Sequence, residues 1–185
     1  DNGASNIYWR NEGEHQFVDA TKSAGFGSNN GKFSLASLWE DYDDDGDMDL
    51  YVTNDFGKNN LFINEDGFFV DRATELNAED LAAGMGITVA DTDLDGDLDL
   101  YVSNMFSSAG QRIVPQSDRF MSGNNQDVHK HYERHARGNS LMTRNADGTY
   151  TDATVDAGVA VGGWAWGARF VDVNNDGLED IYVPN

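Results

Sequence analysis

Short stretches of alternating or β-branched apolar residues recur along this chain, each only a few positions long and each bounded by Gly, Asn or Asp. Three of them are nearly identical: Leu50-Tyr51-Val52, Leu100-Tyr101-Val102 and Ile181-Tyr182-Val183. Runs of this length and composition read as strands. Ahead of them lie further strand candidates at residues 33–39, 87–90 and 165–171. A second phrase follows the same beat, starting at Asn6, Asn60 and Asn139. Each copy has an apolar run, an Asn (Asn11, Asn64, Asn145), a Gly turn (Gly13, Gly67, Gly148), an aromatic (Phe17, Phe69, Tyr150) and an Asp (Asp19, Asp71, Asp152). A Gly-containing turn between two short apolar segments predicts a hairpin. One period therefore holds four strands, named A (before the acidic window), B (the Leu-Tyr-Val triplet), C (the apolar run after the Asn) and D (the aromatic-Asp segment).

The windows between strands A and B open at Asp41, Asp91 and Asp172, so the two periods are 50 and 81 residues long. Four strands repeated at about 40 to 50 residues predict β-propeller blades. The expected fold is all-β, with blades of four antiparallel strands. In this phase residues 1–185 form one propeller segment: two full blades, a leading C-D pair and a trailing A-B pair. Closed propellers have about four to eight blades. We therefore expect the segment either to belong to a longer propeller or to meet neighbouring subunits that complete it, because open strand edges call for partners.

Charge sharpens this picture. The 185 residues carry 33 Asp plus Glu against 12 Lys plus Arg, a formal charge of −21, and no cysteine. So acidic a chain is not expected to bind nucleic acid, whose phosphates need a basic surface. Thiolate metal sites and cysteine nucleophiles are excluded outright. No stretch of about 20 apolar residues suggests a membrane span, and residue 1 is followed by no signal-peptide pattern. The expectation is a mature secreted chain or a piece of something longer.

The acid is not spread evenly. Residues 41–49, 91–99 and 172–180 hold 6, 5 and 4 acidic residues and no basic one. Each window reads D-x-D/N-x-D-G-x-x-D. Oxygens at the first, third, fifth and ninth positions, with the carbonyl of the seventh, can converge because Gly at the sixth permits a sharp turn. So many carboxylates repel one another unless a cation sits between them. Hard oxygen donors in a flexible loop favour Ca²⁺ over Mg²⁺ or Zn²⁺. A lone window of this kind could be a solvated acidic turn; three in the same phase argue for metal. The loop resembles an EF-hand for nine positions and then departs from it. The twelfth residues are Val52, Val102 and Val183, not Glu, and strand rather than helix follows.

These loops, with the triplets and the Asn–Gly–aromatic–Asp phrase, resemble FG-GAP or VCBS-type repeats, the calcium-binding blades of integrin α-subunit propellers and of secreted bacterial proteins. The stretch from Gly162 to Val183 is also similar to bacterial chains that join such repeats to an ASPIC/UnbV segment. The resemblance implies calcium ligation, about three ions in all, by Asp41, Asp43, Asp45 and Asp49, by Asp91, Asp93, Asp95 and Asp99, and by Asp172, Asn174, Asp176 and Asp180. Asp47, Asp97 and Leu178 would add backbone carbonyls. Asn174 replaces a carboxylate, so the third site is expected to be the weakest. The implied role is a calcium-stabilised structural, adhesive or protein-interaction module, extracellular or periplasmic, with a protein or carbohydrate ligand.

Residues 105–138 fall outside the resemblance. This insertion, between strands B and C, carries Arg112, Arg119, Lys130, Arg134 and Arg137 and three of the four histidines, His129, His131 and His135. A short helix over residues 126–140 would place His131 and His135 one turn apart, a spacing that suits Zn²⁺ or Cu²⁺. The simpler expectation is that Arg134, Arg137 and the histidines dock on the acidic body or on a neighbour. An alternative function, a secreted polysaccharide-processing enzyme or an accessory filament subunit, rests on this insertion and on Trp164 and Trp166. These two share a strand face and would form a sugar platform or, more simply, fill the core between blades. No catalytic constellation is identifiable.

Overall fold

The computed structural model of the protein describes residues 3–116 and 126–185; Arg119 lies outside them. Among these residues the elements run β1 (Trp9–Gly13), β2 (Gln16–Asp19), β3 (Phe33–Glu40), β4 (Asp49–Lys58), β5 (Asn60–Glu65), β6 (Phe68–Asp71), β7 (Leu81–Ala90), β8 (Asp99–Asn104), α1 (Ser108–Ile113), α2 (Gln126–Arg137), β9 (Ser140–Arg144), β10 (Tyr150–Asp152), β11 (Arg169–Val171) and β12 (Asp180–Tyr182). The chain is all-β with an interposed helical pair, and every strand pairing is antiparallel. Strands β3–β6 and β7–β10 are two A-B-C-D blades. Strands β1–β2 form the leading C-D hairpin and β11–β12 the trailing A-B pair. This is an incomplete propeller.

Three boundaries differ from the sequence expectation. Strand β4 continues past its triplet to Lys58, and β7 starts at Leu81 rather than near residue 87. The two extensions pair with each other, Asp55 with Ala83 and Lys58 with Leu81, and stitch the blades into one eight-stranded sheet. Bulges at Asp55/Gly57 and Gly84/Gly86 turn the strands at this seam. Strand β11, in contrast, covers only Arg169–Val171. Upstream of it Trp164 bridges to Met105 and the Trp166 N–H donates to the Pro184 carbonyl, so these groups are bonded away from a regular ladder.

The triplets explain the core. Successive strand side chains point to opposite faces, so Leu50 and Val52 pack with Tyr8, Phe26, Phe62 and Phe69 against the leading hairpin. Tyr51 points the other way, into a core with Ile87, Leu100, Val102 and Tyr150 of the second blade. One period later Tyr101 faces the trailing pair, meeting Leu141, Ala168, Phe170, Ile181 and Val183. The second and third interfaces thus each take the two aliphatics of one triplet and the tyrosine of the preceding one. Full burial of such side chains contributes roughly 1.5–3 kcal/mol each. Tyr51 and Tyr101 are 0% and 1% exposed, whereas Tyr182, against which no blade packs among the described residues, is 68% exposed. The tyrosine hydroxyls are satisfied alike. Tyr51 donates to the Ala78 carbonyl and accepts from Asn59; Tyr101 donates to the Val159 carbonyl and accepts from Asn139.

Candidate metal centres

All three acidic windows fold into the same loop. The fourth residue is left-handed in each (Asp44, φ 65°; Leu94, φ 63°; Asn175, φ 60°), and so is the glycine at the sixth (Gly46, Gly96, Gly177). Leu94 in this region is strained, which a chain tolerates only where the surrounding bonds dictate the turn. The first carboxylate supplies those bonds. Asp41 accepts from the N–H groups of Asp45 and Gly46, Asp91 from Asp95 and Gly96, and Asp172 from Asp176 and Gly177. The fifth carboxylate accepts from the seventh N–H: Asp45 from Asp47, Asp95 from Asp97 and Asp176 from Leu178.

The ninth carboxylate ties the loop to the blade. Buried Asp49 accepts from the N–H groups of Tyr42 and Asn64, each at 2.8 Å. Buried Asp99 accepts from Thr92 and, on strand C, from the Arg144 N–H at 2.9 Å. Asp180 accepts from the Val173 N–H, and among the described residues no strand C pairs beside it.

The donors converge to different degrees. Asp41, Asp43 and Asp49 each bring a carboxylate oxygen within 4.8 Å of the others, and so do Asp91, Asp93 and Asp95. The ninth position therefore joins the first cluster and the fifth joins the second. The third loop, where Asn174 stands among mostly exposed neighbours, gathers no such carboxylate group. Burial, with the charge of Asp45, pushes the Asp43 carboxyl above its ordinary range, and burial with Asp95 and Asp99 does the same at Asp93. Asp49 is pushed up to about 6 by burial, despite the N–H groups of Asn64 and Tyr42 that favour its charge. Asp47 is also raised by burial, and one of its buried oxygens has no hydrogen-bond partner. Asp172 is instead lowered, chiefly by the Gly177 N–H. Loops 1 and 2 thus hold oxygen donors whose ionisation is penalised, a set that fits a hard divalent cation.

One residue of this region carried no signal in the sequence. Arg144, at the end of β9 and only 10% exposed, pairs with Asp44 of the first loop and, at 2.8 Å, with Asp97 of the second. Its counterpart in the preceding blade is Asn64, whose N–H binds Asp49 as that of Arg144 binds Asp99. Asn64 is short, and its side chain stays with its own loop and hairpin, donating to the Met48 carbonyl and accepting from the Gly67 N–H.

The chain matches the sequence pattern of the family described as FG-GAP-like repeat, over residues 41–102 and 120–183. It belongs to the FG-GAP-like repeat family. No curated protein and no solved structure matches it. The first FG-GAP-like match starts on Asp41 and ends on Val102, so it runs from one acidic loop through the next triplet. Repeats of this family make a β-propeller-type structural or interaction module.

The insertion of this FG-GAP-like chain turns back onto its own blades. The helix expected at residues 126–140 is present as α2 and stops at Gly138, whose φ of 101° suits glycine alone. Arg134 pairs with Asp80, which is 2% exposed and also accepts from Asn104 at 2.8 Å and from the Ser140 hydroxyl at 2.6 Å. Arg137 pairs with Asp152. The histidines do not gather. His129 lies against Glu133, His131 is exposed, and His135 stacks on Phe56 with ring centroids 5.2 Å apart. Among the described residues no group of potential metal ligands includes a histidine. Trp164 and Trp166, expected in the core, are 61% and 60% exposed at the trailing end, and it is Ala165 between them that is buried.

Proposed function

We propose that this chain is a calcium-stabilised segment of an extracellular or periplasmic propeller and serves as a structural, adhesive or protein-interaction module. The observation that carries this reading is the pair of carboxylate clusters at Asp41/Asp43/Asp49 and Asp91/Asp93/Asp95, built on identical backbone turns and holding carboxyls that resist ionisation. Asp41, Asp43, Asp45 and Asp49 would hold one ion, and Asp91, Asp93, Asp95 and Asp99 a second. Asp172, Asn174, Asp176 and Asp180 would hold a third, with the carbonyls of Asp47, Asp97 and Leu178 assisting. Bound calcium would supply charge neutralisation and no covalent chemistry. Because a loop of repelling carboxylates is assembled only in the folded chain, binding energy becomes folding energy. Loops whose donors are largely open to solvent suit the millimolar calcium found outside cells.

The partner is inferred from the two ends of the segment. Phe33, Leu35 and Trp39 line an exposed face of β3, and Tyr182 and Trp166 are exposed at the other end. Sheet faces of this composition fit further blades, from the same polypeptide or from neighbouring subunits. No helix of the described residues is long and apolar enough to cross a membrane. Elemental analysis of the purified chain after dialysis against millimolar calcium tests the metal reading: two to three equivalents support it, and no bound calcium overturns it.

A further inference from the structure

We infer that Arg144 couples the first and second acidic loops, so that they take up calcium as one cooperative unit. This rests on the calcium reading above and adds to it a residue outside the nine-position pattern. The guanidinium of Arg144 holds two carboxylates that are not expected to touch the metal: that of Asp44, at the fourth position of loop 1, and that of Asp97, at the seventh position of loop 2. Each is set where it matters to its loop. Asp44 is the left-handed residue on which loop 1 turns. The backbone of Asp97 is hydrogen-bonded to Asp95, a member of the second carboxylate cluster. The Arg144 N–H also fixes Asp99 at 2.9 Å, so one residue grips loop 2 at two positions and loop 1 at one.

A charge-assisted hydrogen bond to each loop, made by a mostly buried planar group, transmits geometry better than two solvated ion pairs would. When an ion draws the oxygens of loop 1 together, Asp44 and the turn at Gly46 settle into one arrangement. The guanidinium is then held in place for Asp97, and the second loop has less left to order. By linkage the effect is reciprocal. Loop 3 lacks any such bridge: among the described residues no arginine pairs with residues 172–180, which join the two trailing strands. It therefore serves as an internal control.

The glycines at the sixth positions allow each loop to be followed separately. Calcium titration of the full chain at physiological salt, monitored by the amide resonances of Gly46, Gly96 and Gly177, is the test. Gly46 and Gly96 are expected to respond along one shared sigmoidal curve with a Hill coefficient above 1, and Gly177 along an independent hyperbolic one. In Arg144→Met the first two curves should separate and become hyperbolic, the later midpoint rising about fivefold or more, with Gly177 unmoved. Arg144→Lys, whose single ammonium nitrogen can meet both carboxylates as the one Nη1 of Arg144 does, should keep more of the shared response than the Met variant. Well-dispersed spectra of the variants with calcium bound establish that they fold. Hyperbolic, independent curves for Gly46 and Gly96 in the unaltered chain would overturn the inference, as would cooperativity that survives in Arg144→Met. A chain in which none of the three glycines responds to calcium would remove the metal reading itself, and the coupling with it.

Discussion

The backbone N–H of Asn104 donates to the side-chain carbonyl of Asn139 at 2.8 Å, across 35 positions of sequence. In the preceding blade the N–H of Asn54 makes the same bond to Asn59, also at 2.8 Å, across only five. The clasp is indifferent to what lies between its ends. Residues 55–58 in one blade and 105–138 in the other leave and return at the same two points, and strands B and C keep the same register around them. An insertion of this length on a closed base costs little extra chain entropy.

The insertion should therefore be removable, with one condition. Replacing residues 105–138 by the Asp-Phe-Gly-Lys of residues 55–58 removes Arg134 and leaves the carboxylate of Asp80 buried without its cation. Losing one partner of a buried pair costs about 3–5 kcal/mol. Asn30 occupies the place of Asp80 in the preceding period, eleven residues before the acidic loop. The shortened chain alone should be strongly destabilised in urea unfolding, and adding Asp80→Asn should recover most of the loss. Equal stability of the two shortened chains would contradict the pairing.

The alternation of the triplets predicts unequal effects for equivalent tyrosines. Tyr101→Phe leaves the Val159 carbonyl and the Asn139 amide short of a partner in a buried setting and should cost about 1–3 kcal/mol. Tyr182→Phe in this same chain should stay within about 0.5 kcal/mol, because its side chain is exposed. Denaturant midpoints of the two variants measure the contrast directly.

Without metal, Asp49 gives stability an unusual pH dependence. Its carboxyl stands at about 6 in the folded chain against 3.8 ordinarily. Between these values the folded state holds more protons than the unfolded one, so the contribution of Asp49 is most favourable at low pH and is lost as pH rises through about 6. In chelator, the change in unfolding free energy from pH 7 to pH 5 should be more favourable in the parent chain than in Asp49→Asn, by about 1 kcal/mol or more. His135, held below its usual value by burial, opposes this trend in both proteins and cancels in the comparison. Identical pH dependence in the two would show that burial does not hinder the ionisation of Asp49.

Much of the blade was legible because its signals are local. The Leu-Tyr-Val triplets declare strands by residue type, and the nine-position acidic windows declare loops by spacing alone. What could not be read depends on residues brought together from distant parts of the chain. Arg144 and Asp44 are 100 positions apart, and Arg134 and Asp80 are 54 apart. Neither pair carries a motif. The extra pairing of β4 with β7 arises from sheet twist and bulges at the seam rather than from any change in hydrophobic pattern. The repeat phrase also misleads by one position. The sequence phrase matches Asn60 to Asn139, but the clasp makes Asn59 the counterpart of Asn139 and leaves Ser140 in the place of Asn60, the difference being absorbed in a longer turn before β10. Trp164 and Trp166 show the remaining limit, since strand alternation cannot say whether a neighbouring blade is there to cover them.

Thermal unfolding in millimolar calcium and then in excess chelator tests the central claim most directly. A site occupied at about 100 times its dissociation constant contributes about 2.7 kcal/mol to stability, and for a chain of this size each kcal/mol moves the midpoint by about 2–4 °C. Two or three calcium loops should accordingly lower the midpoint by ten degrees or more when the metal is removed, reversibly on adding calcium back. Superimposable unfolding curves with and without chelator would contradict the account.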